Sequence, residues 1–322
     1  MTVLLGRTGI QVSPLCFGTM SFGGDADQET SGALYGAARD AGINFFDCAD
    51  VYVGGRSEEI LGNLIAHERD QIVLTTKCHG QMGEDVNDGG LSRRHIMRAV
   101  EASLKRLDTD RVEVLFIHKW EDHPPMDVQL RAMEDLVRDG KVLHIGVSNW
   151  AAWQVAKGLG MADLNGWSRI DVLQPMYNLV KRQAEVEILP MAQEEGLAVI
   201  SYSPVGGGLL SGKYTDAGSN AGRLIDNKMY TNRYGTDWMH RTAAEFSAFA
   251  RDQGVHPVTL AVAWAGSHPG ITTPIVGGRS VEQIQPSLAA LEFKIDADLR
   301  AEISKLSPTP PPATDRLEEQ GA

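Results

Sequence analysis

Eight short runs of apolar and β-branched residues recur along this chain, at 15–18, 44–47, 72–77, 112–118, 143–148, 172–175, 198–202 and 273–276. Longer stretches with helical periodicity separate most of them. Alternation at that frequency calls for parallel strands joined by crossovers, because a tight turn cannot link parallel neighbours. The segment 92–107 is the clearest helix: Ser92 is placed to cap it, and Ile96, Val100, Leu104 and Leu107 form one apolar stripe. Ser57, followed by Glu58 and Glu59, reads as the opening of another, with acids in the first turn where the helix dipole favours them.

Two α/β architectures meet this pattern. A doubly wound open sheet usually carries G-x-G-x-x-G after its first strand, and no such string occurs. Eight strand–helix pairs fit a (β/α)8 barrel of the TIM type, here expected as one domain over residues 1–306. The first twelve residues, with Gly6 and Gly9 in a tight turn, are expected to form a β-hairpin closing the N-terminal end of the barrel. The connection after strand seven, from Val205 to about His240, exceeds an ordinary strand–helix loop and is expected to carry function. From Ser307 a Pro-rich tail, 307–322, has no core of its own.

Charge and cysteine content narrow the setting. Thirty Lys and Arg stand against 42 Asp and Glu, a net charge of −12. Such a surface repels phosphate backbones, so nucleic acid is not an expected partner. The longest stretch free of Asp, Glu, Lys and Arg, 253–278, is broken by Pro257, Gly266, Pro269, Gly270 and Pro274, so no membrane span is expected. Three cysteines (Cys16, Cys48, Cys78), an odd number without a secretory leader, point to a reducing cytoplasm. No metal is expected: Cys78-His79, and His118 with His123, lack paired zinc-ligand spacing.

In a barrel of this kind the site lies at the C-terminal ends of the strands. Those ends carry Asp47 and, five residues on, Tyr52; then Lys77, His118, Ser148, Asn149, Gln174 and Tyr202. Singly, each has an ordinary reading: a turn aspartate, a surface tyrosine, a solvated lysine, a structural histidine. Together they suit proton donation to a carbonyl oxygen. A phenol with a pKa of about 10 is a poor acid near neutrality. A neighbouring Lys ammonium stabilises the phenolate and is expected to lower that pKa, with a carboxylate holding the Lys.

These residues sit in strings that resemble the aldo-keto reductases. They are Gly42-Ile-Asn-Phe-Phe-Asp-Cys-Ala-Asp-Val-Tyr52 with Gly-Gly-Arg-Ser-Glu-Glu-Ile-Leu-Gly62 after it, Thr76-Lys77, Ile117-His118, Gly146-Val-Ser-Asn149, Gln174-Pro-Met-Tyr-Asn178 and Ser201-Tyr-Ser-Pro204. The segment Gly207-Gly-Leu-Leu-Ser-Gly-Lys-Tyr214 resembles the prokaryotic and potassium-channel-β-subunit side of that family. The resemblance runs from about Leu5 to Leu291, with the motifs in order. It implies NADPH, with NADH as an alternative, lying extended across the barrel mouth beneath a long loop after strand seven. Tyr52 would be the general acid, Asp47 and Lys77 would tune it, and His118 would orient the carbonyl. Ser148, Asn149 and Gln174 would hold the nicotinamide carboxamide, with Tyr202 against the ring and Thr19, Met20 and Asp47 nearby. Ser203, Pro204, Val205, Gly206 and Gly207, with Lys213 and Arg223, would grip the pyrophosphate. Gly277, Arg279 and Gln283 would meet the adenosine end, where Pro286 and Ser287 replace a common Glu-Asn pair. Trp120, two residues past His118, would wall the substrate pocket.

Other readings compete. Gly207 to Lys213 satisfies G-x-x-x-x-G-K but ends in Tyr214, so no hydroxyl is placed for Mg²⁺. A barrel aldolase would use Lys77 as a Schiff-base amine. A nicotinamide-binding regulatory subunit would keep the cofactor groups and turn over slowly. The expected function is reduction of an aldehyde or ketone, or the reverse oxidation, with a small-molecule carbonyl or alcohol as partner.

Overall fold

The computed structural model describes residues 1–214, 222–316 and 318. Its strands are β1 Val3–Leu4, β2 Gln11–Val12, β3 Cys16–Gly18, β4 Phe45–Asp47, β5 Val73–Cys78, β6 Val112–Ile117, β7 Val142–Ser148, β8 Ile170–Gln174, β9 Ala198–Ser201 and β10 Thr273–Val276. Strands β3 to β10 close into an all-parallel barrel in sequence order, β10 pairing back onto β3. The protein is a (β/α)8 barrel, and each expected run contributes one strand.

Strands β1 and β2 pair antiparallel, Val3 opposite Val12. Leu5 and Val12 are fully buried and plug the barrel floor against Cys16, Phe45, Val73, Val114, Phe116 and Ile200. The plug fits because Gly6 turns at φ 56° where a Cβ would stand 2.7 Å from the Ala198 amide nitrogen. Outside the barrel, a second apolar shell packs the strands against the helices. Helix Arg93–Leu107 shows how the sequence directs this. The Ser92 hydroxyl accepts from the His95 amide, and Ile96, Val100, Leu104 and Leu107 are all buried.

Two segments hold more than their sequence announced. Helix Arg56–Ile65 starts at Gly55, in the left-handed region at φ 93°, and Ser57 lies inside it. The Ser57 hydroxyl donates to the Thr19 carbonyl at 2.8 Å instead of capping. Glu58 faces inward: fully buried, it accepts from Thr76 Oγ1 at 2.5 Å and Arg106 Nε at 2.7 Å. The connection after β9 is long, as expected, and its described residues form short elements. It holds a 3₁₀ segment, Gly206–Ser211, and short helices Arg223–Asp226 and Lys228–Tyr234, before helix Asp237–Asp252 begins ahead of His240. Beyond helix Ala297–Ser304, Ser307 is still buried, and 308–312 belongs to no helix or strand. Among the described residues no helix is long and apolar enough to cross a membrane.

Candidate active site

Parallel strands deliver all their C-terminal residues to one face, so the polar strand ends converge there. Asp47 ends β4, Lys77 lies next to the end of β5, His118 follows β6, Ser148 ends β7 and Gln174 ends β8. Tyr52 reaches the same face from a turn, Tyr52–Gly55, whose Val53 adopts φ 50°. A left-handed β-branched residue is uncommon, and here it sits directly beside the phenol.

Lys77 is fully buried, and its ammonium has three acceptors: Asp47 Oδ2 at 2.6 Å, the Cys48 carbonyl at 2.7 Å and the Tyr52 hydroxyl oxygen at 3.0 Å. Asp47 in turn accepts from Thr75 Oγ1 at 2.7 Å and Gln174 Nε2 at 2.9 Å through its other oxygen. Burial alone would push Lys77 down, but Asp47 and Tyr52 hold its pKa above the ordinary lysine value. A cation with every donor engaged is not a free amine, which removes the Schiff-base reading.

The effect on Tyr52 differs from the sequence expectation. Burial of the phenol outweighs the pull of Lys77, and the negative charge of Asp47 opposes that pull, so Tyr52 rises to about 12. Lys77 restrains the pKa without bringing it below the free value. His118 stands edge-on to Tyr52, ring centroids 5.9 Å apart. Burial first, then Lys77 and His79, lower its pKa to about 3, so the imidazole is neutral at working pH. The mouth therefore offers a protonated phenol and a neutral imidazole side by side over a buried cation.

A cleft of about 670 Å³ opens from these groups along the barrel face. Of the residues expected there, Met20, Asp47, Tyr52, His118, Ser148, Asn149, Gln174, Tyr202, Ser203, Pro204, Val205, Gly207, Lys213, Gly277, Arg279 and Gln283 line it. Ser148, Asn149 and Tyr202 are tied together: Asn149 Nδ2 donates to Ser148 Oγ at 3.0 Å, and the Tyr202 hydroxyl donates to Asn149 Oδ1 at 2.7 Å. Gly207 and Gly208 turn at φ 66° and 100°, laying bare backbone along the cleft. At the far end Gly277 passes so close to β3 that a Cβ would lie 2.8 Å from the Gly18 oxygen. A long cleft with amide groups at one end, a glycine turn with a lysine midway and an arginine at the other fits an extended dinucleotide.

Four expected residues are placed differently. Lys77 lies behind the cleft wall, reaching it through Tyr52. Thr19 is buried, its hydroxyl donating to the Asp47 carbonyl at 3.1 Å. Gly206 is buried beside the turn. Trp120 does not line the cleft: its ring meets Trp150 edge-on at 4.8 Å and Trp153 at 6.1 Å, and its Nε1 donates to Asp122. The side chain of Arg223 lies outside the described residues. Conversely, the cleft includes Ser21, Ser211, Tyr230, Arg233 and Glu282, which strand ends do not announce. Their only prior signal was membership of the overlong connection or of the loops flanking the expected ends. Among the described residues no group of three or more His, Cys, Asp or Glu is arranged to hold a metal.

The Aldo/keto reductase family model matches residues 14–308, and the chain belongs to that family. It is 38% identical over 319 residues to a Bacillus subtilis oxidoreductase, YrpG, covering 95% of both chains. It is 36% identical over 301 residues to a probable voltage-gated potassium channel subunit beta of Arabidopsis thaliana, covering 89% of this chain and 90% of the relative. It is 31% identical over 322 residues to a norsolorinic acid reductase of Aspergillus flavus, covering 95% and 80%. The fold and these kinships together define an oxidoreductase of the aldo/keto reductase class, a family that generally uses NAD(P)H.

Proposed function

We propose that this protein reduces aldehydes or ketones to alcohols with NADPH, and runs the reverse oxidation when the cofactor ratio favours it. One observation carries the reading: the Tyr52 hydroxyl lies 3.0 Å from a buried Lys77 ammonium that is itself 2.6 Å from Asp47, at the mouth of a long cleft. In reduction Tyr52 gives its proton to the carbonyl oxygen, and in oxidation it takes one back. Lys77, kept cationic by Asp47, stabilises the phenolate left behind. His118, neutral, hydrogen-bonds the same oxygen and sets its angle without adding charge. When bound, the reduced nicotinamide supplies the hydride. Ser148, Asn149 and Gln174 hold its carboxamide, Tyr202 flanks the ring, the backbone of 203–207 and Lys213 take the phosphates, and Arg279 and Gln283 take the adenosine end.

Kinship to channel subunits supports a second reading, a nicotinamide-binding regulatory protein. The complete set of Asp47, Tyr52, Lys77 and His118 weighs for turnover. The two readings part in one assay: purified protein with aldehyde, ketone and sugar panels, following loss of reduced-cofactor absorbance with NADPH and with NADH. The enzyme reading expects turnover of at least one carbonyl class, faster with NADPH. Tight cofactor binding with no turnover across the panels would favour the regulatory reading.

A further inference from the structure

The cleft is cationic in an acidic molecule. Lys213, Arg233 and Arg279 line it against Glu282 and Asp47, and Asp47 is already matched by Lys77, although the chain carries −12 overall. The three cations are not equivalent. Arg279 is paired with Asp25, Nε to Oδ2 at 3.1 Å. Lys213 is exposed, its ammonium 4.6 Å from the centroid of the Tyr214 ring. Arg233 is half-buried, and among the described residues no carboxylate pairs with it. Its guanidinium lies 5.6 Å from the Tyr230 ring centroid.

Its mounting is firm. Tyr230 packs on the bare backbone of Gly207, where a Cβ would come within 2.6 Å of the ring. Tyr230 stacks on Tyr234 at 6.4 Å, and Tyr234 is fully buried. The Tyr234 oxygen accepts from Asn178 Nδ2 at 3.2 Å, and the same amide donates to the Ser203 carbonyl at 2.9 Å. Helix Lys228–Tyr234 is thereby fastened to the turn that begins at Ser203. Lys181 sits 5.8 Å from the ring of Tyr234, so a second cation stands at this spot. A half-buried guanidinium without a counter-charge is costly unless a ligand brings the anion, and its planar fork matches phosphate.

We propose that Arg233 is a cofactor-binding residue that clamps the pyrophosphate bridge of the dinucleotide beside the Gly206–Gly208 turn. Its position selects that group. Its guanidinium stands by the Tyr230 ring, which packs on Gly207 of the glycine turn, while Arg279 and Gln283 belong to the β10 end and helix Val281–Leu288. The pyrophosphate is common to NADPH and NADH, so Arg233 sets affinity for both. The inference rests on the nicotinamide reading of the cleft.

The test is a set of fluorescence titrations of the full chain and its Arg233→Gln and Arg233→Lys variants with NADPH, NADH and 2′-AMP, which has no 5′-phosphate, at several salt concentrations. Gln removes the charge while leaving a polar side chain, and circular dichroism checks the fold. Loss of a charge-assisted hydrogen bond predicts that Arg233→Gln raises the Kd for NADPH and NADH alike, by about tenfold or more, and flattens the salt dependence. 2′-AMP should bind nearly as before, and Lys should restore part of the loss. Unchanged NADPH and NADH affinities would overturn the assignment. So would unchanged cofactor affinity with a raised KM confined to carboxylate-bearing carbonyls, which would give Arg233 to the substrate. If the unaltered protein bound neither dinucleotide, the functional reading itself would fall first.

Discussion

Residue by residue, burial decides the chemistry as much as charge does. Tyr52 is held at about 12, so it is protonated and able to donate throughout the neutral range. Reduction should therefore be flat in pH through neutrality and fall only in alkali, while alcohol oxidation, which needs the phenolate, should climb with pH. Lys77→Met removes the charge that restrains this pKa. The variant should lose 10²–10⁴-fold in kcat, roughly the worth of general acid catalysis, and the rise of its residual oxidation should move to higher pH. An unmoved pH profile would make Lys77 a purely structural residue. Asp50 behaves differently. It is fully buried, and neither carboxylate oxygen makes a well-formed hydrogen bond. Burial, then the charge of Glu58, raise it to about 7, with the nearby Val51 and His79 amides and Arg106 pulling back. A folded pKa above the unfolded one gives a contribution present in acid and lost as pH rises through about 7. Asp50→Asn, mimicking the protonated acid, should melt higher than the parent at pH above about 7, with the gap closing in the acid range where free carboxyls titrate. A gap independent of pH would contradict this.

At the level of elements, periodicity was informative where one face of a helix was buried and the other solvated. Helix Arg93–Leu107 was legible from Ser92 and its stripe, because its outer face is solvated. Helix Arg56–Ile65 begins one residue before Ser57 and carries Glu58 and Glu59 in its first turn as read. What the sequence did not show is depth: the barrel packs this helix against Arg93–Leu107 and turns Glu58 inward onto Arg106. That pair has a fully buried acid, so removing its charge leaves Arg106 partly desolvated. Glu58→Gln should cost about 3–5 kcal/mol in denaturant unfolding. A loss under about 1 kcal/mol would class the pair with exposed ion pairs. The short helix Lys228–Tyr234 was invisible for another reason: Tyr230 and Tyr234 find their partners on Gly207 and Asn178, contacts far away in sequence. Arg233 went unread with it.

For the whole molecule, the barrel could be read from strand count and spacing because each βα unit buries its own apolar stripe locally. The ring of strand-end residues followed from topology, since parallel strands share one functional face. What did not follow was depth: Thr19 and Trp120 lie at the right end of the barrel but turn into the wall and onto neighbouring tryptophans, a choice made by packing. The C-terminal helix Ala297–Ser304 is likewise secured by distant partners. Arg300 donates to the Trp264 carbonyl at 2.6 Å and to the Tyr177 hydroxyl at 2.7 Å. The central claim is that Tyr52 passes the proton while the cleft holds the hydride donor. Tyr52→Phe tests it most directly, because the ring and its packing stay while the proton goes. Measured with NADPH and the best carbonyl of the panel, the variant should bind cofactor with a nearly unchanged Kd and reduce the carbonyl 10²–10⁴-fold more slowly, the typical range for general acid catalysis. Turnover near the parent rate, with the fold and cofactor affinity intact, would contradict it.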